Sequence, residues 1–261
     1  MSGGEDMAGL AEALWKARAS GEAVAVEAAQ APASAAAAYA IQTAMIELAG
    51  LPQVGWKLGA TTRVALDLLA LDEAFAGPLF APHCHESGAR ITLQPGHGPG
   101  LETEFLVGLG ADLPPRAAPY AAEEVAAAVA FVAPAFEVIG CRFAGGLAGN
   151  GLLVIADGGG NAAIVQGEPV RDWRRFDLGA HGVRLSLNGA EAAAGSSSAL
   201  IFGDPIRAVA WFASQPLLAG RGLRRGEIVM TGTCTGLLPL NPGDEAVADF
   251  GELGEVRATF A

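Results

Sequence analysis

The sequence predicts an α+β fold in which N-terminal helices precede a mixed, β-rich core. Three observations carry this. Residues 1–50 read as helical. After Gly50, Gly and Pro become frequent and the apolar runs shorten. The chain then closes on short strand-like runs instead of a regular strand–helix alternation.

Residues 5–24 carry Met7, Leu10, Ala11, Leu14 and Trp15 at the spacing of an amphipathic helix. A second helix is expected over 34–48, with Gly50 near its C-terminal end. Residues 1–50 therefore form a helical segment and 51–261 the functional domain, with no clear linker and no internal repeat. Residues 54–58 read as a strand and 63–71 as a short helix. Residues 91–93 and 102–109 read as strands joined by a loop at 94–100. A helix is expected over 121–131, stopped by Pro134, then a short apolar strand over 135–139. Residues 183–187, ending at Asn188-Gly189, read as the first arm of a hairpin. Residues 205–213 read as a helix, and 228–231, 246–250 and 256–260 as closing strands.

The chain has 261 residues, enough for one large domain or a domain with a helical appendage. Hydrophobic residues make up 51% and charged residues 17%, which supplies a sizeable core and argues against disorder. A net charge of −12 disfavours a nucleic-acid surface. It does not disfavour a small anionic substrate, because a bound metal can reverse the local field. Cys84, Cys141 and Cys234 are few and far apart, as in a reduced cytoplasmic thiol set. No apolar run approaches the ~20 residues of a membrane span, and none suits a signal peptide.

The strongest chemical feature is Leu101-Glu-Thr-Glu-Phe-Leu-Val-Gly108. Residues two apart on a strand share a face, so Glu102 and Glu104 point the same way. Their repulsion would be relieved by a divalent cation, or they could be solvated acids on an exposed strand. Glu137 lies in the apolar stretch 132–139, where a lone carboxylate is costly. It needs either a metal or an ion pair, for which Arg142 is near in sequence. Three carboxylates without a histidine suit a hard cation, Mg²⁺ or Mn²⁺. Of 16 basic residues only Lys16 and Lys57 are lysine. Lys57, in Val54-Gly-Trp-Lys-Leu-Gly59, is a candidate base or electrostatic partner, or else a strand-edge lysine. Met230-Thr-Gly-Thr-Cys-Thr-Gly236 can offer backbone N–H groups to a carboxylate, or be an ordinary turn. His83-Cys84-His85-Glu86 lacks zinc-ligand spacing and reads as a loop. His97 could approach the glutamates, and Gly158–Gly160 reads as a turn.

Together these residues resemble the fumarylacetoacetate hydrolase superfamily, in particular its branch of 2-keto-4-pentenoate hydratases and 4-oxalocrotonate decarboxylases from aromatic meta-cleavage pathways. The motifs are Gly55-Trp-Lys-Leu-Gly59, Gly77-Pro-Leu-Phe80, Glu102-Thr-Glu104, Pro134-Ala-Phe-Glu-Val138, Phe202-Gly-Asp-Pro-Ile-Arg-Ala-Val-Ala-Trp211, Thr231-Gly232 and Asn241-Pro-Gly-Asp244. The resemblance implies a fumarylacetoacetate-hydrolase-like core, Mg²⁺ or Mn²⁺, and homo-oligomers. It implies Glu102, Glu104 and Glu137 as metal ligands and Lys57 as the catalytic residue. Thr231, Gly232 and Leu79 are implied to bind substrate. The implied reaction is addition of water to a 2-hydroxy-2,4-dienoate or 2-oxo-4-enoate. Alternatives are decarboxylation, C–C bond hydrolysis served by a histidine (His83, His85 or His97), or binding of a small acid without catalysis. The sequence departs from the branch at three places. Phe75 stands where an acid is usual, Asp157-Gly-Gly-Gly-Asn161 replaces an Asp-Asn-Ala-Ser segment, and an expected Arg is missing around Gly100. Each departure removes a polar group from the implied pocket.

Overall fold

The N-terminal helices form where their end signals lie. In the computed structural model, which describes residues 2–218 and 220–261, α1 spans Ser2–Ser20 and α2 spans Ala35–Ala49. The Ser34 side chain accepts a hydrogen bond from Ala37 N at the start of α2, and Gly50 closes it at φ 59. Helix α1 ends at Ser20, short of the expected residue 24. Gly21 adopts φ 78, and Val24 then bridges to Phe143.

Next come β1 (Gln53–Gly59), α3 (Arg63–Leu69, capped by Thr62), β2 (Phe75–Phe80), β3 (Cys84–Glu86), β4 (Ala89–Ile91) and β5 (Gly100–Leu109). The segment His83–Glu86, read as a loop, is largely strand β3 and lies parallel to a later strand. The strand expected over 91–93 sits at Ala89–Ile91 instead, fixed by pairing with the C-terminal strand.

The largest departure from the sequence reading lies at 121–139. Helix α4 covers only Ala122–Ala128, and β6 runs continuously over Val129–Ile139. Alanine favours helix, but Val129, Phe131 and Val132 pair along β5 and extend the strand toward the helix. Pro134 does not stop a helix; it sits within β6. Its carbonyl accepts from Gly167 N, one position past the end of the neighbouring strand. The donor that proline lacks therefore falls at the margin of the ladder.

The remaining elements are α5 (Gly151–Ala156), β7 (Asn161–Gln166), β8 (Gly182–Leu187), β9 (Ala190–Ser196), α6 (Pro205–Ala213), β10 (Ile228–Thr233), β11 (Leu238–Pro239), β12 (Glu245–Asp249) and β13 (Glu255–Phe260). Asn188 (φ 53) and Gly189 (φ 80) make the expected hairpin turn between β8 and β9. Asp204 caps α6 by accepting from Ile206 N and Arg207 N, with Pro205 in the first turn, so this helix matches its expected bounds.

The described strands form two sheets. One is eight-stranded in the order β2-β1-β10-β5-β6-β7-β3, with β11 added to β5; the other is β4-β13-β12-β8-β9. Alternation along β5 and β6 sorts side chains onto two faces. Phe105, Val107, Phe136 and Val165 pack in the main core with Val183, Leu185, Ala248 and Val256 of the second sheet and Phe212 of α6. On the other face Leu106, Ala133, Ala135 and Met230 cluster with Leu79 of β2 and Ile164 of β7. Because β2 and β7 lie toward opposite ends of the strand order, that shared cluster shows that the sheet curls around this face. Helices α1, α2, α3 and α5 form a third cluster around Leu14, Ile41, Met45 and Phe75.

Arg142 ties the helical cluster to the curled sheet. Its Nε donates to Asp157 Oδ1 at 2.8 Å, and its other nitrogens donate to the carbonyls of Gly140, Asp157 and Asn161. Both side chains are buried. Removing one partner of such a pair leaves the other charge uncompensated. Arg142→Ala is expected to lower unfolding stability by about 3–5 kcal/mol, measured by urea denaturation monitored at two probes.

Candidate active site

The register of β5 against β6 places Glu102 directly opposite Glu137. Glu102 and Glu104 share the inner face of the curled sheet. Lys57 pairs in register with Met230, which itself pairs with Leu106, so Lys57 projects onto the same face from β1. The result is a cluster in which one oxygen from each of Glu102, Glu104 and Glu137 lies within 4.8 Å of the others. Lys57 Nζ is 3.3 Å from Glu137 Oε1. Arg142, the sequence-near candidate to neutralise Glu137, is committed to Asp157 instead.

The backbone is shaped to hold these side chains. The β10 register shifts between Met230 and Thr233, where Gly232 adopts φ 105. Its freed N–H donates to Glu104 Oε2 at 2.6 Å. A Cβ at residue 232 would sit 1.8 Å from Thr61 Oγ1, so only glycine fits. Across the site, Gly159 lies against Lys57: a Cβ there would be 2.6 Å from Lys57 Cε. The Gly158–Gly160 turn, with all three residues at positive φ, thus leaves room for the lysine stem.

Asn161, noted in the sequence only as a departure, has a direct role in this geometry. Its Nδ2 donates to Glu137 Oε1 at 2.8 Å, and its carbonyl accepts from Arg18 Nη1 and Arg142 Nη1. Glu137 Oε1 is therefore held by Asn161 and Lys57, while Glu137 Oε2 and Glu104 Oε1 are buried without a hydrogen-bond partner. Burial is the first cause that drives the Glu102 pKa up to about 7, followed by the charge of Glu137, with Lys57 opposing. Burial likewise raises Glu104 well above the ordinary carboxylate range, with Glu137 and Glu102 adding to it. Three converging carboxylates, two of them with a buried unpartnered oxygen, fit a hard divalent cation, which would satisfy those oxygens and offset the repulsion.

A cavity of about 500 Å³ opens onto this cluster through Lys57 and Glu102, with Phe75 beside them. The Lys57 ammonium lies 5.3 Å from the centre of the Phe75 ring. The other expected binding residues sit elsewhere in the arrangement. Thr231 Oγ1 donates to Phe105 O, so its hydroxyl is spent on the sheet. Gly232 contributes its N–H to Glu104. Leu79 is fully buried in the apolar cluster on the same sheet face. Among the described residues no histidine lines this cavity. His83 accepts from Arg18 Nε, and His97 lines a separate cavity with Arg18 and Arg142. Among the described residues no histidine–glutamate pair lines this cavity.

Residues 85–261 match the family model described as fumarylacetoacetate (FAA) hydrolase C-terminal. The chain is 32% identical over 228 residues to a 2-keto-4-pentenoate hydratase of Paraburkholderia xenovorans (strain LB400), covering 85% of this chain and 82% of that one. It is 30% identical over 209 residues to a 4-oxalocrotonate decarboxylase of a Pseudomonas species, covering 79% of this chain and 78% of that one. Among solved structures, 4-oxalocrotonate decarboxylase from Pseudomonas putida G7, complexed with magnesium and adipate, superposes with a TM-score of 0.89 at 26% identity over 98% of both chains.

Two outcomes follow from the site geometry. Because Glu102 has its pKa raised from 4.5 to about 7 in the folded protein, its contribution to metal-free stability is full below 4.5 and is lost as pH rises through 7. Divalent cation binding relieves that loss. Added Mg²⁺ or Mn²⁺ should therefore raise Tm more at about pH 8 than at about pH 5, read by differential scanning fluorimetry. Asn161→Ala should weaken metal affinity about 10- to 100-fold by freeing Glu137 Oε1, measured by calorimetric titration.

Proposed function

We propose, from the premise that this chain belongs to the fumarylacetoacetate hydrolase family, that it is a metal-dependent lyase adding water to a 2-hydroxy-2,4-dienoate or 2-oxo-4-enoate acid. The observation that carries this is the cluster of buried Glu104 and Glu137 with half-buried Glu102, beside Lys57 at the inner end of a cavity. The relatives named as hydratases support it.

The three glutamates would hold Mg²⁺ or Mn²⁺, whose preference for carboxylate oxygens suits this donor set. A cation so held supplies Lewis-acid polarisation to the oxygens of a 2-oxo acid. Lys57 Nζ, facing both Glu137 and the cavity, moves a proton to and from the carbon skeleton of the substrate. In the net reaction the oxygen of water bonds to one carbon of the double bond and its hydrogen to the other. Asn161 fixes the orientation of Glu137, and Gly232 fixes that of Glu104. The buried Phe75 ring lies beside the Lys57 ammonium in the cavity lining. Thr231, Gly232 and Leu79 act from behind the lining: Thr231 through the sheet, Gly232 through its N–H on Glu104, and Leu79 through the apolar cluster.

The same reading takes the chain as a cytoplasmic homo-oligomer. No described helix is long and apolar enough to cross a membrane. Residues 1–50 brace a catalytic portion at 51–261: Gln42 of α2 donates to the carbonyls of Ala76 and Ile155. A decarboxylase reading has its own support in the full-length likeness to 4-oxalocrotonate decarboxylase.

The test is a spectrophotometric assay with 2-hydroxypenta-2,4-dienoate, with and without Mg²⁺ or Mn²⁺, and product identification by mass. Metal-dependent gain of one water is expected; loss of CO₂ from 4-oxalocrotonate with no hydration of the dienoate would replace hydratase by decarboxylase. Glu137→Ala should abolish metal binding and turnover together. Lys57→Met should keep metal binding and lower kcat by about 10²–10⁴-fold; unchanged kcat would assign Lys57 a structural role only.

A further inference from the structure

The cavity in front of Lys57 and Glu102 has two chemically different ends. Its inner end carries the charged groups. Its outer part is walled by Val64 and Leu68, one turn apart on α3, by Leu69, Ile139 and Val154, and by Leu237. The hydroxyls along the wall are already used. Thr62 caps α3 by accepting from Ala65 N, Thr233 Oγ1 donates to Gly236 O, and Thr235 Oγ1 bonds Thr103 Oγ1. Arg63, exposed on α3, is the one charged residue besides Lys57 and Glu102 that lines the cavity among the described residues.

Exposed apolar side chains concentrate at the mouth. Among the described residues, Val64 (79% exposed), Leu68 (43%) and Leu237 (38%) are three of the four large hydrophobic side chains left in solvent, the other being Leu48. All three line this cavity. An apolar rim continuous with a polar inner site marks a place where part of a ligand is buried. Leu237 is seated over Gly100, where a Cβ would lie 2.6 Å from Leu237 Cδ1. The absence of a side chain at residue 100 thus leaves an apolar wall beside Glu102. A volume of about 500 Å³ lies within the ~300–1,000 Å³ that encloses drug-sized ligands, well above what a five-carbon acid fills.

Resting on the proposed function for the inner end, we infer that the substrate is a 2-oxo acid whose far end carries an extended apolar tail, alkyl or aryl. The tail lies against Val64, Leu68 and Leu237 while the acid head faces Glu102 and Lys57. The rim hydrophobics set chain-length specificity.

The experiment compares binding of 2-oxopentanoate and 2-oxononanoate to the Mg²⁺-loaded protein by calorimetric titration, a readout independent of turnover. Each buried methylene tightens binding by up to about fourfold, so the longer acid should bind at least about tenfold more tightly. Leu68→Asp and Leu237→Asp, both at exposed positions, should shrink that ratio to about threefold or less. Equal affinity for the two acids would overturn the tail and leave the proposed function standing. Failure of both acids to bind the loaded protein would overturn the tail and the proposed function together. Rim variants that leave the ratio intact but change the oligomeric mass, read by light scattering, would show that a second copy of the chain covers the rim, and would also overturn the inference.

Discussion

Three carboxylates forced together on the concave face of a curled sheet, with a single ammonium among them, are the constraint around which the rest of this protein is arranged. Glu102 faces Glu137 across adjacent strands, and Glu104 lies on the same face. In water such a cluster would be a minor cost. Here the apolar cluster of Leu79, Leu106, Ala135 and Ile164 shares that face, and burial magnifies the repulsion. The protein answers it in three ways. Lys57 pairs with Glu137, backbone and amide donors hold one oxygen each of Glu104 and Glu137, and the pKa values of Glu102 and Glu104 rise. What remains are two buried oxygens without partners, Glu104 Oε1 and Glu137 Oε2, within that cluster. That residual imbalance is a standing preference for a cation.

The surrounding scaffold keeps those side chains from relaxing apart. Gly232 departs from the ladder at a conformation that only glycine tolerates, which turns an N–H toward Glu104. Gly159 removes a side chain so that Lys57 can lie against the backbone. Arg18 and Arg142 both donate to the Asn161 carbonyl, and Arg142 is itself locked by Asp157. The helical segment is thereby coupled to the site: α1 reaches the residue that holds Glu137. Buried ion pairs contribute little net stability, but they fix geometry, and geometry is what a metal cluster requires.

The inner and outer parts of the cavity divide the functional question. The inner part carries three carboxylates and a lysine. The outer part is mostly apolar. Phe75, Gly100 and the glycines at 158–160 place ring, backbone or empty space where polar side chains could have stood. The chemistry of the head and the selectivity for the tail can therefore vary independently on one scaffold.

The sequence by itself determined the fold class, most of the longer elements and the four charged residues of the site. Periodicity placed α2 and α6, the Asn188-Gly189 pair placed a hairpin, and the spacing of Glu102 and Glu104 put both on one face. These are local signals, carried by residues a few positions apart. The extent of β6 was not legible, because Val129–Pro134 becomes strand through pairing with β5, against the helical preference of its alanines. Strands β2, β3 and β7 and helix α5 were missed for the same reason: short, weakly patterned segments acquire their state from their neighbours. Only the tertiary structure decided that Lys57 and Asn161, not Arg142, hold Glu137. It alone showed that the Thr231 hydroxyl is spent on the sheet, that His97 lies in another cavity, and that the exposed leucines and valine gather at one mouth. Those facts depend on which distant segments the curl of the sheet brings together, and no residue spacing along the chain records that closure.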